Sequence, residues 1–99
     1  MSETANGSVV ITHDVGLHAR PSVKLTKLAK GFQSRIEIAG SEAGPWIDAK
    51  SIVKVMAMKA KQNTELHVRA SGDDAEAAVA AIVDLVKRDF DEAGDQGAA

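Results

Sequence analysis

The 99-residue chain contains no cysteine and no tyrosine, and its aromatic side chains are Phe32, Trp46 and Phe90 alone. Without cysteine there are no disulfides, thiolate metal ligands or thiol nucleophiles, which fits a reducing compartment. Three aromatics are too few for a base-stacking platform. An excess of positive charge is missing too: 12 basic against 14 acidic residues leave a formal charge of -2, which argues against non-specific binding to nucleic acid or to an anionic membrane. No apolar run approaches the ~20 residues of a spanning helix, and Met1-Ser2-Glu3-Thr4 opens neither a basic nor an apolar leader segment. The length allows one small core. These absences predict a cytoplasmic, monomeric, single-domain protein.

Residues 1–7 and 91–99 are small and polar without apolar period, and read as flexible ends around a domain at 8–90. Within it, the β-branched run Ser8 to His13 predicts a first strand. From Ala19 to Lys30, Leu25, Leu28 and Ala29, continued by Phe32, recur at helical steps, with Gly31 at the C-cap position. Arg35 to Ile38 alternates with Ile36 and Ile38 inward, Gly40 to Pro45 is a hairpin loop, and Trp46 to Ala49 returns. Ser51 stands as N-cap before an apolar helical run, Ile52 to Met58. Thr64 to Ala70 alternates again, with Leu66, Val68 and Ala70 inward. In the last helix Asp73 and Glu76 form a capping box, and Ala78, Val79, Ile82, Leu85, Val86 and Phe90 form the core stripe. The order β-α-β-β-α-β-α predicts an α+β, two-layer sandwich: a four-stranded antiparallel sheet covered on one face by three helices.

Gly16-Leu17-His18-Ala19-Arg20-Pro21 falls where the first strand gives way to the first helix. Pro21 is tolerated in a first turn, where its missing N–H has no intrahelical partner to lose. First-turn amides and the helix dipole make an anion site, and the Arg20 guanidinium can fork onto a phosphate. Positive surroundings disfavour imidazolium, leaving a neutral His18 nitrogen to attack phosphorus. From residue types alone, a capping or surface histidine explains His18 equally well.

Together with Ala29-Lys30-Gly31-Phe32 and Asp48-Ala49-Lys50-Ser51-Ile52, that hexapeptide resembles HPr, the histidine-containing phosphocarrier family of the bacterial phosphoenolpyruvate-dependent phosphotransferase system. The resemblance spans about Ser8 to Phe90 and implies an open-faced β-sandwich. It further implies that His18 accepts a phosphoryl group on Nδ1 from phosphorylated enzyme I and passes it to an A-type enzyme II protein or domain. Arg20 then matches the arginine that stabilises the phosphate, while Gly16, Ala19 and Pro21 shape the site. Ser51 matches a serine modified by an HPr kinase/phosphorylase, which implies an alternative, chiefly regulatory role in a nitrogen- or carbon-control branch. Such a protein is a carrier and a substrate of enzyme I, not an enzyme, and needs no cofactor. Val15 departs from the small polar residue of many members, and the loop from Gly40 to Trp46 is longer than usual.

Arg20, Lys24, Lys27, Lys30 and Arg35 follow one another with no acidic residue between them, and Lys50, Lys54, Lys59, Lys61 and Arg69 continue the bias. For any single lysine, solubility is explanation enough. With Val23, Ile52, Val53 and Met56 among them, Lys24, Lys27 and Lys54 fit a transient docking surface for acidic partners. His13 and His67 lack metal-binding spacing, so no metal site is predicted.

Overall fold

Strict period-two alternation around Leu66 marks a strand with one buried face, and it becomes an interior strand of the sheet. The computed structural model describes residues 3–12 and 19–91. In chain order the elements are β1 (Glu3–Val10), α1 (Ala19–Lys30), β2 (Arg35–Ala39), β3 (Ile47–Asp48), α2 (Ile52–Ala57), β4 (Glu65–Gly72) and α3 (Ala75–Lys87), followed by a 3-10 turn at Asp89–Asp91. The sheet runs β1-β4-β2-β3, antiparallel throughout. This is the expected four-stranded sheet with three helices in the expected order. Val9, Ile11, Ile36, Ile38, Leu66, Val68 and Ala70 are buried on one face, while Thr4, Asn6, Ser8, Val10 and Arg69 stay exposed on the other. Each large buried aliphatic contributes roughly 1.5–3 kcal/mol relative to exposure. α3 lies along β1 and β4, and α1 packs against both α2 and α3. Among the described residues no helix is long and apolar enough to cross a membrane.

Four details correct the sequence reading. The first strand starts at Glu3, not Ser8, so residues 3–7, expected to be a flexible end, pair with β4 from Glu3↔Gly72 onward. Their composition hid this: the inward positions are Ala5 and Gly7, too small to register as apolar. Smallness is what the site requires, because a Cβ on Gly7 would lie 2.8 Å from Val79 Cγ1 and 3.3 Å from Val83 Cγ2 of α3. His13, expected to end that strand, lies outside the described residues.

Second, α3 has no Asp73 capping box. Its N-cap is Asp74, whose side chain makes no cap bond. The carboxylate instead accepts from the Ser34 hydroxyl, from Ser34 N at 2.8 Å and from Gln33 N at 2.9 Å, tying the loop before β2 to the start of α3. Three donors outcompete one local amide. Gly72 completes this junction, with φ at +142° and no room for a Cβ beside Ser34.

Third, Gly31 is not a left-handed C-cap. α1 closes with tightened bonds, Gly31 N to Leu28 O at 3.0 Å and Phe32 N to Ala29 O at 3.1 Å. Fourth, Phe90 is fully buried as predicted but does not lie on the last helix. The chain leaves α3 at Lys87 and turns through left-handed Asp89 (φ 52°) and Phe90 (φ 58°). Burying the ring compensates for that unfavourable backbone.

Two outcomes test this account. Gly7→Ala should destabilise the protein by about 1–3 kcal/mol in denaturant unfolding, the cost of overpacking against α3; an unchanged midpoint would mean that β1 does not reach back beneath that helix. The Ser34 hydroxyl, then the Gln33 amide, hold the Asp74 carboxyl below its ordinary value. Its contribution is therefore complete above the unfolded pKa of about 3.9 and is lost as pH falls through the folded value. Asp74→Asn should lower the melting temperature at neutral pH, and the gap to the parent should close in acid; a gap independent of pH would assign the effect to something other than the charge.

Candidate functional site

One stripe of α1, comprising Pro21, Ser22, Leu25, Thr26 and Ala29, is buried, and this stripe sets the helix direction. Leu25 and Ala29 were legible as apolar. Ser22 and Thr26 were not, because polar residues do not register in an apolar pattern. Thr26 satisfies its hydroxyl within the helix, donating to Ser22 O and Val23 O at 3.0 Å each, so it packs as a small, self-bonded side chain.

With that stripe inward, the first residues of the helix, Ala19 and Arg20, are exposed while Pro21 is buried behind them. The first turn contains no acidic side chain, and Lys27 and Lys30 lie in the last. An exposed helix start free of carboxylates presents amide donors and the positive end of the dipole to any anion that approaches. Gly16 and His18, assigned to this site in the sequence, lie outside the described residues, as does Val15; His18 directly precedes Ala19 in the chain.

The C-terminal turn was not foreseen near this helix. It packs on α1, where Lys24 Nζ donates to Phe90 O at 2.9 Å. Thr12, the last described residue after β1, donates its hydroxyl to Asp89, and its carbonyl accepts from Gln62 Nε2 at 3.2 Å. Local sequence gave little signal of this turn: two consecutive non-glycine residues hold left-handed dihedrals, and only aspartate tolerates that readily. Lys24, predicted to belong to a docking surface, thus also anchors the chain end. Lys27 remains exposed.

The second group of predicted residues lies on α2. Ser51 is its N-cap, with φ -102° and ψ 110°, and the hydroxyl accepts from Lys54 N at 3.4 Å, a long bond. Val55 is the buried residue of this six-residue helix. Val53 is 74% exposed and Met56 42%, and Val23 on the neighbouring helix α1 is 44% exposed. Ile52 is half-buried and Lys54 exposed. Two packed helices thus display large apolar side chains to solvent. Met58, by contrast, packs against the core, which separates the roles of the two methionines.

Trp46 and His67 belong elsewhere. Arg69 stacks on the Trp46 ring at 4.0 Å and bonds Glu37 at 2.8 Å on the outer face of the sheet. His67 is half-buried, 3.3 Å from Glu65. Among the described residues no cluster of three or more metal-ligating side chains occurs.

Comparison with known proteins adds the lineage. Residues 5–88 match the family described as the PTS HPr component phosphorylation site. The chain is 46% identical over 78 residues to the phosphocarrier protein HPr of Mycoplasma capricolum, covering 79% of this chain and 85% of that one. It is 33% identical over 89 residues to the phosphocarrier protein NPr of Escherichia coli K12, covering 90% and 98%. The crystal structure of an HPr from Thermoanaerobacter tengcongensis superposes with a TM-score of 0.81 at 33% identity, over 89% of this chain and 97% of that one. On the family match and these relatives, the chain belongs to the HPr family of phosphocarrier proteins of the phosphotransferase system, carriers and not catalysts.

Proposed function

We propose that this protein accepts a phosphoryl group from phosphorylated enzyme I on His18 and delivers it to an A-type enzyme II protein or domain. The observation that carries this reading is the exposed, carboxylate-free first turn of α1, which His18 directly precedes in sequence. In the reaction a neutral imidazole Nδ1 lone pair attacks phosphorus, a P–N bond forms, and the donor's bond to phosphorus breaks with its electron pair leaving on the donor. First-turn amides and Arg20 then compensate the charge of the bound phosphoryl group. Compensation of this kind holds the product without trapping it, since the same group must leave again with the electrons of the P–N bond remaining on the ring.

Docking falls to the exposed apolar side chains of the α1–α2 pair, Val23, Val53 and Met56, with Lys27 and Lys54 steering an acidic partner. Incubation with enzyme I and phosphoenolpyruvate should label the parent protein with acid-labile, alkali-stable phosphate. His18→Ala should abolish the label, and Arg20→Ala should slow its appearance by at least about tenfold, a loss in keeping with removal of one charge-stabilising group. Label retained in His18→Ala would sink the proposal.

One observation favours a second, regulatory reading. Ser51 stands next to Ile52 and two positions before Val53, the most exposed large apolar side chain among the described residues, and its cap bond is long enough to be given up. A phosphate on Ser51 would place about two negative charges at the edge of the docking patch and repel a partner selected for basic, apolar contact. Ser51→Ala should cost about 1 kcal/mol or less in stability and leave labelling of His18 intact. Ser51→Asp should weaken transfer to the A-type acceptor, read as a lower rate at low acceptor concentration; an unaltered rate would remove the regulatory reading and leave the carrier reading standing.

A further inference from the structure

A groove of about 1030 Å³ runs between the β2–β3 hairpin and the segment joining α2 to β4. Its apolar lining comes from Trp46, Ile47 and Met58, and Arg35, Lys54, Lys59 and Lys61 stand around it, all four exposed. These four make no ion pair among the described residues. Of the two carboxylates that reach the groove, Glu37 is ion-paired with Arg69 at 2.8 Å, whereas Asp48 accepts only a backbone amide bond, from Lys50 N at 2.9 Å. A cleft lined by five cations, Lys50 included, and two carboxylates, one of them paired with Arg69, favours an anionic occupant.

The groove adjoins the docking patch proposed above and shares Lys54 with it, while Lys59 and Lys61 belong to the groove alone. On α2 it is lined by Lys54, Ala57 and Met58, whereas Val53 and Met56 project about a third of a turn away around the helix axis. Substitutions at Lys59 and Lys61 therefore probe the groove without touching the residues of the docking patch.

We infer that this groove binds an extended, acidic polypeptide segment carrying an apolar side chain. Three observations select a polypeptide over a small phosphorylated molecule. The cations are spread along the rim on exposed, flexible side chains, and the half-buried Lys50 already donates its ammonium to Phe32 O at 2.8 Å. A compact dianion needs donors that converge; a chain of carboxylates needs donors that are distributed. Trp46, Ile47 and Met58, all half-buried, give the groove apolar lining, which matches alternate side chains of an extended peptide and not a sugar or a phosphate. Finally, one wall is β3, the end strand of the sheet, which among the described residues pairs with β2 alone.

Trp46 is the sole tryptophan, so its fluorescence reports the groove directly. The probe is a short blocked peptide alternating glutamate and valine, with lysine–valine and glutamate–serine peptides and inorganic phosphate as controls. The glutamate–valine peptide should change the emission saturably, with affinity that falls as salt rises and is weaker for both control peptides. Amide resonances of Ile47 and Asp48 should shift on the same titration. The double variant Lys59→Glu/Lys61→Glu should lose about tenfold in affinity, as expected for reversing two rim charges. Its labelling by enzyme I should be unchanged, which separates failure here from failure of the carrier reading. Absence of a saturable change at low ionic strength overturns the inference. So does equal binding of the lysine–valine peptide, full competition by phosphate, or parent-like affinity in a variant with a parent-like melting curve. If that variant does not fold, the peptide series and the salt dependence on the parent protein decide alone.

Discussion

Burial of the Pro21, Ser22, Leu25, Thr26 and Ala29 stripe fixes how α1 packs against α2 and α3, and the proposed chemistry depends on that placement. A helix start is an anion site only while its amides remain open to solvent and no carboxylate competes for them. With the stripe buried, Ala19 and Arg20 are exposed, and the first turn itself holds no acidic residue. Side chains that pack the helix are thus chemically unrelated to those that would use it. Leu25 and Ala29 could be exchanged for other apolar residues of similar volume with little change in the field at Arg20, whereas tilting the helix would alter that field without touching Arg20.

Both ends of the described chain support the same placement. β1 extends to Glu3 along β4, and its small inward residues let α3 come close. α3 in turn delivers Phe90 to the core and its carbonyl to Lys24 on α1. The tie between Thr12 and Asp89 links the exit of β1 to that same turn. Contacts distant in sequence therefore converge on the first turns of α1, the most economical way for a domain with so few aromatics to hold a helix end steady.

Much of this was readable from the residues where periodicity and chemistry coincided. Ile36 and Ile38, and Leu66, Val68 and Ala70, alternate cleanly and are buried as that alternation requires. Ser51 was recognisable as a cap because a hydroxyl directly before an apolar helical run has an evident partner. The failures share a cause, which is that tertiary partners overrode local preference. Glu3 to Gly7 has little strand character until β4 provides a ladder. Asp74 neglects its own helix because Ser34 and Gln33 offer more donors. The backbone of Asp89 and Phe90 makes sense only once the ring has a cavity to fill. At the candidate site the sequence placed Arg20 and Pro21 in the first turn of α1, where they lie, while the anchoring role of Lys24 was not legible, since its acceptor lies 66 positions away.

The size of α2 carries the last step. A six-residue helix with one buried side chain and a 3.4 Å cap bond has little intrinsic stability, so it holds its shape mainly through α1 and β3. A longer helix would bury more of itself and leave less to show. Because α2 is short, Val53 and Met56 stand exposed on one side while Lys54 and Met58 border the cationic groove on another. For a carrier that must release each partner after a single transfer, a small apolar patch backed by charge gives fast encounter and weak retention, since steering raises the association rate and limited buried area keeps dissociation rapid. The marginal helix suits the proposed docking role: tighter packing would stabilise the fold at the expense of the exposed side chains on which that proposal rests.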